Sequence, residues 1–226
     1  IITILTLFAK SDTGVSYIIE KDNFGFLIQN ALEKQGMDLP VLKLLLEIGR
    51  ASSKCLAFYS RIGICDFIIR SLRSSIKNVE LTAIRICYCI ALDGEGGASF
   101  LHENEIFPIL SENNEKGQSV WKASLSVLCA MCFKGSSEII EFFVSNGFLG
   151  TILDNIESGS ESLLYDLLLA LQAITSDAAI QGNGQLIQEL TENEMLIDKL
   201  YELTEDSAGT SEGSIARLIY NQLTEE

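Results

Sequence analysis

The chain has 226 residues, 47% of them hydrophobic, with 31 Asp plus Glu against 16 Lys plus Arg, a single His and two Pro. A mean hydropathy of +0.26 excludes disorder, because so apolar a chain can bury a sizeable core. The net charge of −15 argues against nucleic acid as a partner, since a polyphosphate would be repelled.

The opening run Ile1–Phe8 is apolar but too short to span a bilayer, and no basic flank precedes it, so it does not read as a signal peptide. No later run reaches spanning length, so membrane insertion is not expected. The chain starts without Met, and we expect a longer protein of which residues 1–226 form a single repeat domain. A first anchor follows, Asn23-Phe24-Gly25-Phe26-Leu27-Ile28: a small or polar residue, then an apolar stripe. Next comes Val41–Ile48, where Leu42, Leu45, Leu46 and Ile48 fall at helical spacing. A shorter element, Cys55–Tyr59, leads to a second anchor at Gly63-Ile64-Cys65. The pattern then returns. Leu81–Leu92 precedes the anchor Glu105-Ile106-Phe107, and Trp121–Phe133 precedes Gly147-Phe148-Leu149. Leu163–Ile174 precedes Glu194-Met195-Leu196, and Ser214–Leu223 closes the chain. Asp93-Gly94-Glu95-Gly96-Gly97 and Lys134-Gly135-Ser136-Ser137 carry turn chemistry that ends one helix and starts the next.

The anchors begin at 23, 63, 105, 147 and 194, with spacings of 40, 42, 42 and 47 residues. A fixed period in this range marks a repeat array. Each repeat reads as a short helix followed by two longer ones, and no strict alternation marks a strand. One such repeat cannot bury its apolar face alone, so neighbours stack into a continuous core.

The pattern resembles the armadillo repeat family over about 200 of the 226 residues. Gly147-Phe148-Leu149-Gly150-Thr151-Ile152-Leu153 and Gly63-Ile64 resemble the family's Gly-Ile-x-x-Leu start of the second helix. Ala83–Leu92 and Ala123–Met131 resemble its Ala-rich third helix. The resemblance implies an all-α fold, a right-handed α-solenoid of about five armadillo-like repeats. A related solenoid with two helices per repeat is the alternative. In the family the third helices line a concave groove. Counting back sixteen residues from each anchor, and then four more, gives Glu47 with Lys43 and Cys89 with Arg85 as groove residues. In the next repeat the count is ambiguous by two residues, pointing to Leu125 and Cys129 or to Val127 and Met131, and after the longer last spacing Leu169 and Ala173 are the best candidates. The Trp and Asn ladder with which armadillo importins hold basic signal peptides is absent, and the only Trp, Trp121, falls off the expected register. Nuclear-signal import by that mechanism is therefore not expected.

Charge is uneven along the array. Residues 1–113 hold 11 basic and 13 acidic residues, whereas residues 114–226 hold 5 and 18. Glu138, Glu141, Asp154, Glu157, Glu161 and Asp166 come from a stretch between Lys134 and Lys199 that has no Lys or Arg. They are expected to form an acidic patch, either a solvated face or a dock for a basic partner. Lys43, Arg50, Arg85 and Lys122 would make the groove basic-leaning at the other end.

Catalytic chemistry is not expected. No G-x-S-x-G, phosphate loop or H-E-x-x-H occurs, and His102 reads as a solvated or capping residue. Cys129-x-x-Cys132 has the spacing of a redox or metal pair, but no second pair follows at finger spacing. The six Cys lie in or beside apolar runs and read as reduced core thiols of a cytoplasmic or nuclear protein. Neither cofactor nor metal is expected. The resulting function is a protein–protein interaction scaffold or adaptor whose partner is another protein with a basic segment. The alternatives are an armadillo-type chaperone or cochaperone and a regulator of small GTPases.

Overall fold

A computed structural model describes residues 1–34, 36–52, 55–158, 161–207 and 209–224. The described residues form sixteen α-helices and two short 3-10 turns, with no strand among them. The chain divides into two compact units, Ile1–Leu128 and Cys129–Glu226.

In the first unit, α1 (Ile2–Phe8) precedes helices that come in threes. These are α2 (Asp12–Glu20), α3 (Asp22–Leu32) and α4 (Asp38–Ala51), then α5 (Cys55–Ile62), α6 (Cys65–Leu72) and α7 (Lys77–Ala91). The next three are α8 (Glu95–Glu103), α9 (Ile106–Ser111) and α10 (Gln118–Lys134), and the division between units falls inside α10. The second unit continues with α11 (Ser137–Ser145), α12 (Phe148–Glu157) and α13 (Leu164–Gln181). It ends with α14 (Gly184–Thr191), α15 (Glu194–Asp206) and α16 (Ser211–Thr224). Helices α2 to α16 thus make five three-helix repeats, and the two-helix alternative is set aside.

The expected proportions need one correction. Only the third helix of each repeat is consistently long: α7 has 15 residues against 8 in both α5 and α6, and α10 has 17 against 6 in α9. The stripe after Glu105 is short because a 3-10 turn, Glu112–Glu115, takes over where α9 stops.

Third helices are long because they are covered by their neighbours. α4 packs against both α1 and α7. Val41, Leu42, Leu44, Leu45 and Ile48 are each wholly buried, so apolar residues occupy most of the helix circumference. α7 does the same with Ala83, Ile84, Ile86, Cys87 and Ile90. In the second unit α13 packs against α11, α12 and α16, burying Leu167, Leu168, Leu171 and Ile174.

In the three middle repeats the step from first to second helix is a left-handed residue, whereas Lys21 and Asn193 make it at φ −99° and −79° in the first and last. Gly63 has φ 67°, Gly147 has φ 77°, and at the equivalent place in the third repeat stands Glu105 with φ 56°. Glu105 is the one non-glycine with positive φ among the described residues. Its Cβ meets the backbone there, which costs a non-glycine about 1–2 kcal/mol. A different glycine device starts α8. Asp93–Gly97 ends α7 and starts α8 as the sequence predicts, with Gly96 and Gly97 inside α8, which begins at Glu95. A Cβ on Gly97 would lie 1.8 Å from the Ile90 carbonyl oxygen, so this helix can approach the end of α7 only without one.

Polar staples tie successive repeats. Arg61 donates to the Ile19 carbonyl at 2.5 Å and pairs with Asp22 at 3.3 Å. Arg70 donates to the Leu32 carbonyl at 2.7 Å, satisfying an open end of α3, and reaches Asp38 at 3.5 Å. Asp93 accepts from the Leu56 amide at 3.2 Å, capping α5 from the end of the same repeat. Lys116 pairs at 2.5 Å with Glu80, whose side chain is 8% exposed.

Among the described residues no single helix is long and apolar enough to cross a membrane. The α11–α12 pair passes on composition but is bent by 75°. Its apolar side chains Ile139, Ile140, Phe143, Ile152 and Ile156 are buried in the second unit.

Candidate functional site

In the first unit the C-terminal halves of α4 and α7 form the walls of a cleft of about 650 Å³. Leu46, Gly49, Tyr88, Cys89 and Leu92 supply its apolar surface, while Arg50 and Arg85 bring two guanidinium groups and Asp93 one carboxylate. Two of the residues counted back from the anchors, Arg85 and Cys89, therefore meet in one cleft. Arg85 is exposed and Cys89 half-buried. Glu47 is half-buried one turn away and pairs with Arg50 at 3.7 Å. Lys43 lines a separate, smaller cavity of about 270 Å³ with Thr3, Thr6, Leu7, Lys10, Leu39 and Pro40. Arg50 was expected in the basic-leaning part of the groove, and it lines this cleft.

Leu125 and Cys129 are corrected. Their exposures are 0% and 1%, so their side chains belong to the core and cannot touch a partner. The alternative register, Val127 and Met131, is equally buried. The count fixes a position along the helix and not which side of it is covered, and in α10 both registers fall on the buried side. Leu169 and Ala173 are half-buried on α13.

The second unit has a cavity of about 430 Å³ between α11, the last turns of α13 and the start of α14. Ile140, Val144, Ile174, Ala178 and Leu186 form its apolar surface. Glu138 and Glu141, both expected in an acidic patch, stand on its wall with Asp177. Asp177 accepts a hydrogen bond from the Ser137 hydroxyl, and Gln181 Nε2 donates to that hydroxyl at 3.3 Å. Asp154 and Glu157 are exposed on α12 and Asp166 is half-buried on α13, none of them lining this cavity. The Glu161 side chain lies outside the described residues. Asp177 was not singled out from sequence, because the apolar stripe there stops at Ile174 whereas α13 runs on to Gln181.

All six cysteines are free. Cys55, Cys87, Cys129 and Cys132 are buried, while Cys65 and Cys89 are half-buried. Burial is the main cause that raises every one of these thiols above the ordinary range, Cys55 and Cys132 to about 12. The second cause is the carboxylate of Asp93 for Cys55 and of Asp177 for Cys132. A thiol kept protonated is a poor nucleophile and a poor metal ligand. Among the described residues no group of three His, Cys, Asp or Glu is placed to hold a metal. His102 lies half-buried in the last turn of α8, in neither cavity.

No family model matches the sequence, and no curated protein matches it either. Solved structures do. A designed armadillo repeat protein is 17% identical, with a TM-score of 0.80, covering 99% of this chain and 92% of its own. A computationally designed armadillo repeat protein for modular peptide recognition is 16% identical, with a TM-score of 0.78, covering 98% and 91%. A further designed armadillo repeat protein, solved in complex with the peptide (KR)4, is 17% identical, with a TM-score of 0.76, covering 97% and 91%. At such identities the likeness speaks for the fold alone, and in fold the chain is an all-α solenoid of armadillo-like repeats.

Proposed function

We propose that the chain is a non-enzymatic protein–protein interaction scaffold. It holds a partner segment against its third helices in the first unit and meets a basic partner surface through the acidic second unit. The observation that carries this reading is the α4–α7 cleft, where Arg50 and Arg85 stand over an apolar surface of Leu46, Tyr88 and Leu92. Guanidinium groups form forked, charge-assisted bonds to carboxylates. An extended segment carrying Asp or Glu beside an apolar residue fits that cleft. One designed structural neighbour was made for modular peptide recognition and another was solved with a bound peptide, which supports a peptide as the class of ligand. The six free cysteines support a reducing compartment, the cytoplasm or the nucleus.

Selection from a displayed random-peptide library tests the cleft. Selected peptides are expected to share an acidic residue next to an apolar one, and Arg85→Glu is expected to abolish their enrichment. A library that yields no binders, or binders that Arg85→Glu leaves untouched, would overturn this assignment.

A further inference from the structure

The cavity between α11, α13 and α14 combines features that no simple solvated face requires. Its base is apolar: Ile174 is 0% and Ala178 3% exposed. Its wall carries three carboxylates, Glu138, Glu141 and Asp177. The sequence has no Lys or Arg from 135 to 198, and no ion pair to any of the three occurs among the described residues.

Asp177 stands on α13 just before its last turn. It is fixed: the hydroxyl of Ser137, at the start of α11, donates to its Oδ1, and Gln181 holds that hydroxyl from the other side. The carboxylate is thus oriented before any ligand arrives, and a preoriented group loses little freedom on binding. Glu138 and Glu141, one turn apart on α11, bring their charge to the same wall.

An apolar base beneath a carboxylate wall matches one kind of side chain, an alkyl stem ending in a cation. We propose that this cavity is the anchor point for a lysine or arginine side chain of a partner protein. The stem lies on Ile140, Val144, Ile174 and Leu186, and the charged head bonds Asp177 and Glu141. The inference rests on the reading that the acidic second unit meets a basic partner, and it reduces that diffuse attraction to one pocket. A volume of about 430 Å³ leaves room for the residue and its neighbour on the partner chain.

The test uses a fluorescein-labelled peptide of alternating Lys and Arg, titrated by anisotropy at low salt against the full chain. Asp177→Asn keeps an acceptor for Ser137 and removes only the charge. It is expected to weaken binding about tenfold. Glu141→Gln, which touches no staple, is the second variant and is expected to act in the same direction. Glu189→Gln removes an exposed charge of the same unit outside the cavity, and is expected to change affinity by less than about twofold. A probe whose basic residues are shortened to 2,4-diaminobutyrate, measured where its amines are fully charged, is expected to bind more weakly because it cannot cover the apolar base. If the long probe binds but Asp177→Asn and Glu189→Gln behave alike, the pocket is overturned and the general acidic dock stands. If long and short probes bind equally, the pocket is overturned too. If no probe binds the wild-type chain, both fall.

Discussion

Replacing Glu105 by glycine is expected to stabilise the protein, and the reason is confined to one backbone angle. Glu105 stands at φ 56°, where Gly63 and Gly147 stand in the neighbouring repeats. Relief of left-handed strain is worth about 1–2 kcal/mol, and the added freedom of glycine in the unfolded chain takes back about 0.4–1. The carboxylate at the start of α9 contributes a few tenths more through the helix dipole, which Glu105→Gln removes without touching the backbone. The useful quantity is therefore the difference between Glu105→Gly and Glu105→Gln, expected at about 1 kcal/mol in favour of glycine. For a chain of this length that is about 2–4 °C in Tm. The reverse experiment is Gly63→Ala and Gly147→Ala. A Cβ at either position meets nothing within 4 Å, so no clash confuses the result, and each is expected to cost about 1 kcal/mol. Urea denaturation followed by circular dichroism gives all four values, with an unchanged m-value as the control. If Glu105→Gly is no more stable than Glu105→Gln, and the two alanine variants cost nothing, the left-handed turn is not the shared element of these repeats.

Other outcomes follow from the packing and the buried charges. Gly97→Ala forces a Cβ to 1.8 Å from the Ile90 carbonyl, and should cost about 3 kcal/mol by the same denaturation assay, far more than Gly63→Ala. Lys116→Met strands the buried Glu80 carboxylate and should cost about 2 kcal/mol, a value discounted because the Lys116 side chain is 43% exposed. The double variant Glu80→Met with Lys116→Met should recover most of that loss, since the stranded charge is gone. Burial raises Cys132 from 9.0 to about 12, so below pH 9 the thiol is protonated in both states. Above it the unfolded chain ionises first, and stability should fall as pH rises through 9 to 12. Cys132→Ala should flatten that fall, read as the urea midpoint against pH. Native labelling by a thiol reagent should reach the half-buried Cys65 and Cys89 well before the other four.

The period was legible because each repeat opens its second helix with a turn residue followed by an apolar stripe. Gly63 and Gly147 show it through the one conformation they alone adopt cheaply. The third helices were legible from Leu42, Leu45, Leu46 and Ile48, whose spacing survives even though α4 is buried on nearly every side. The groove was legible only in part. Arg85 and Cys89 fall in the cleft, but the same count gives Lys43 and Glu47 on α4, which do not line it, and buried residues on α10. A fixed offset sets a position along a helix and not the side on which a neighbour packs. Asp177 escaped notice because periodicity reports apolar positions, and its significance comes from Ser137, forty residues away in sequence. The partners of Arg61 and Arg70 are also long-range in sequence, so periodicity gives no sign of these staples.

In the proposed function the α4–α7 cleft recognises a partner through Arg85. A double-mutant cycle between Arg85 and the acidic residue of a library-selected peptide tests it most directly. Arg85→Ala and the peptide's Asp or Glu to Ala should each weaken binding, and the pair should couple by about 1.5 kcal/mol or more. A coupling near zero would place the peptide elsewhere on the protein and contradict the account.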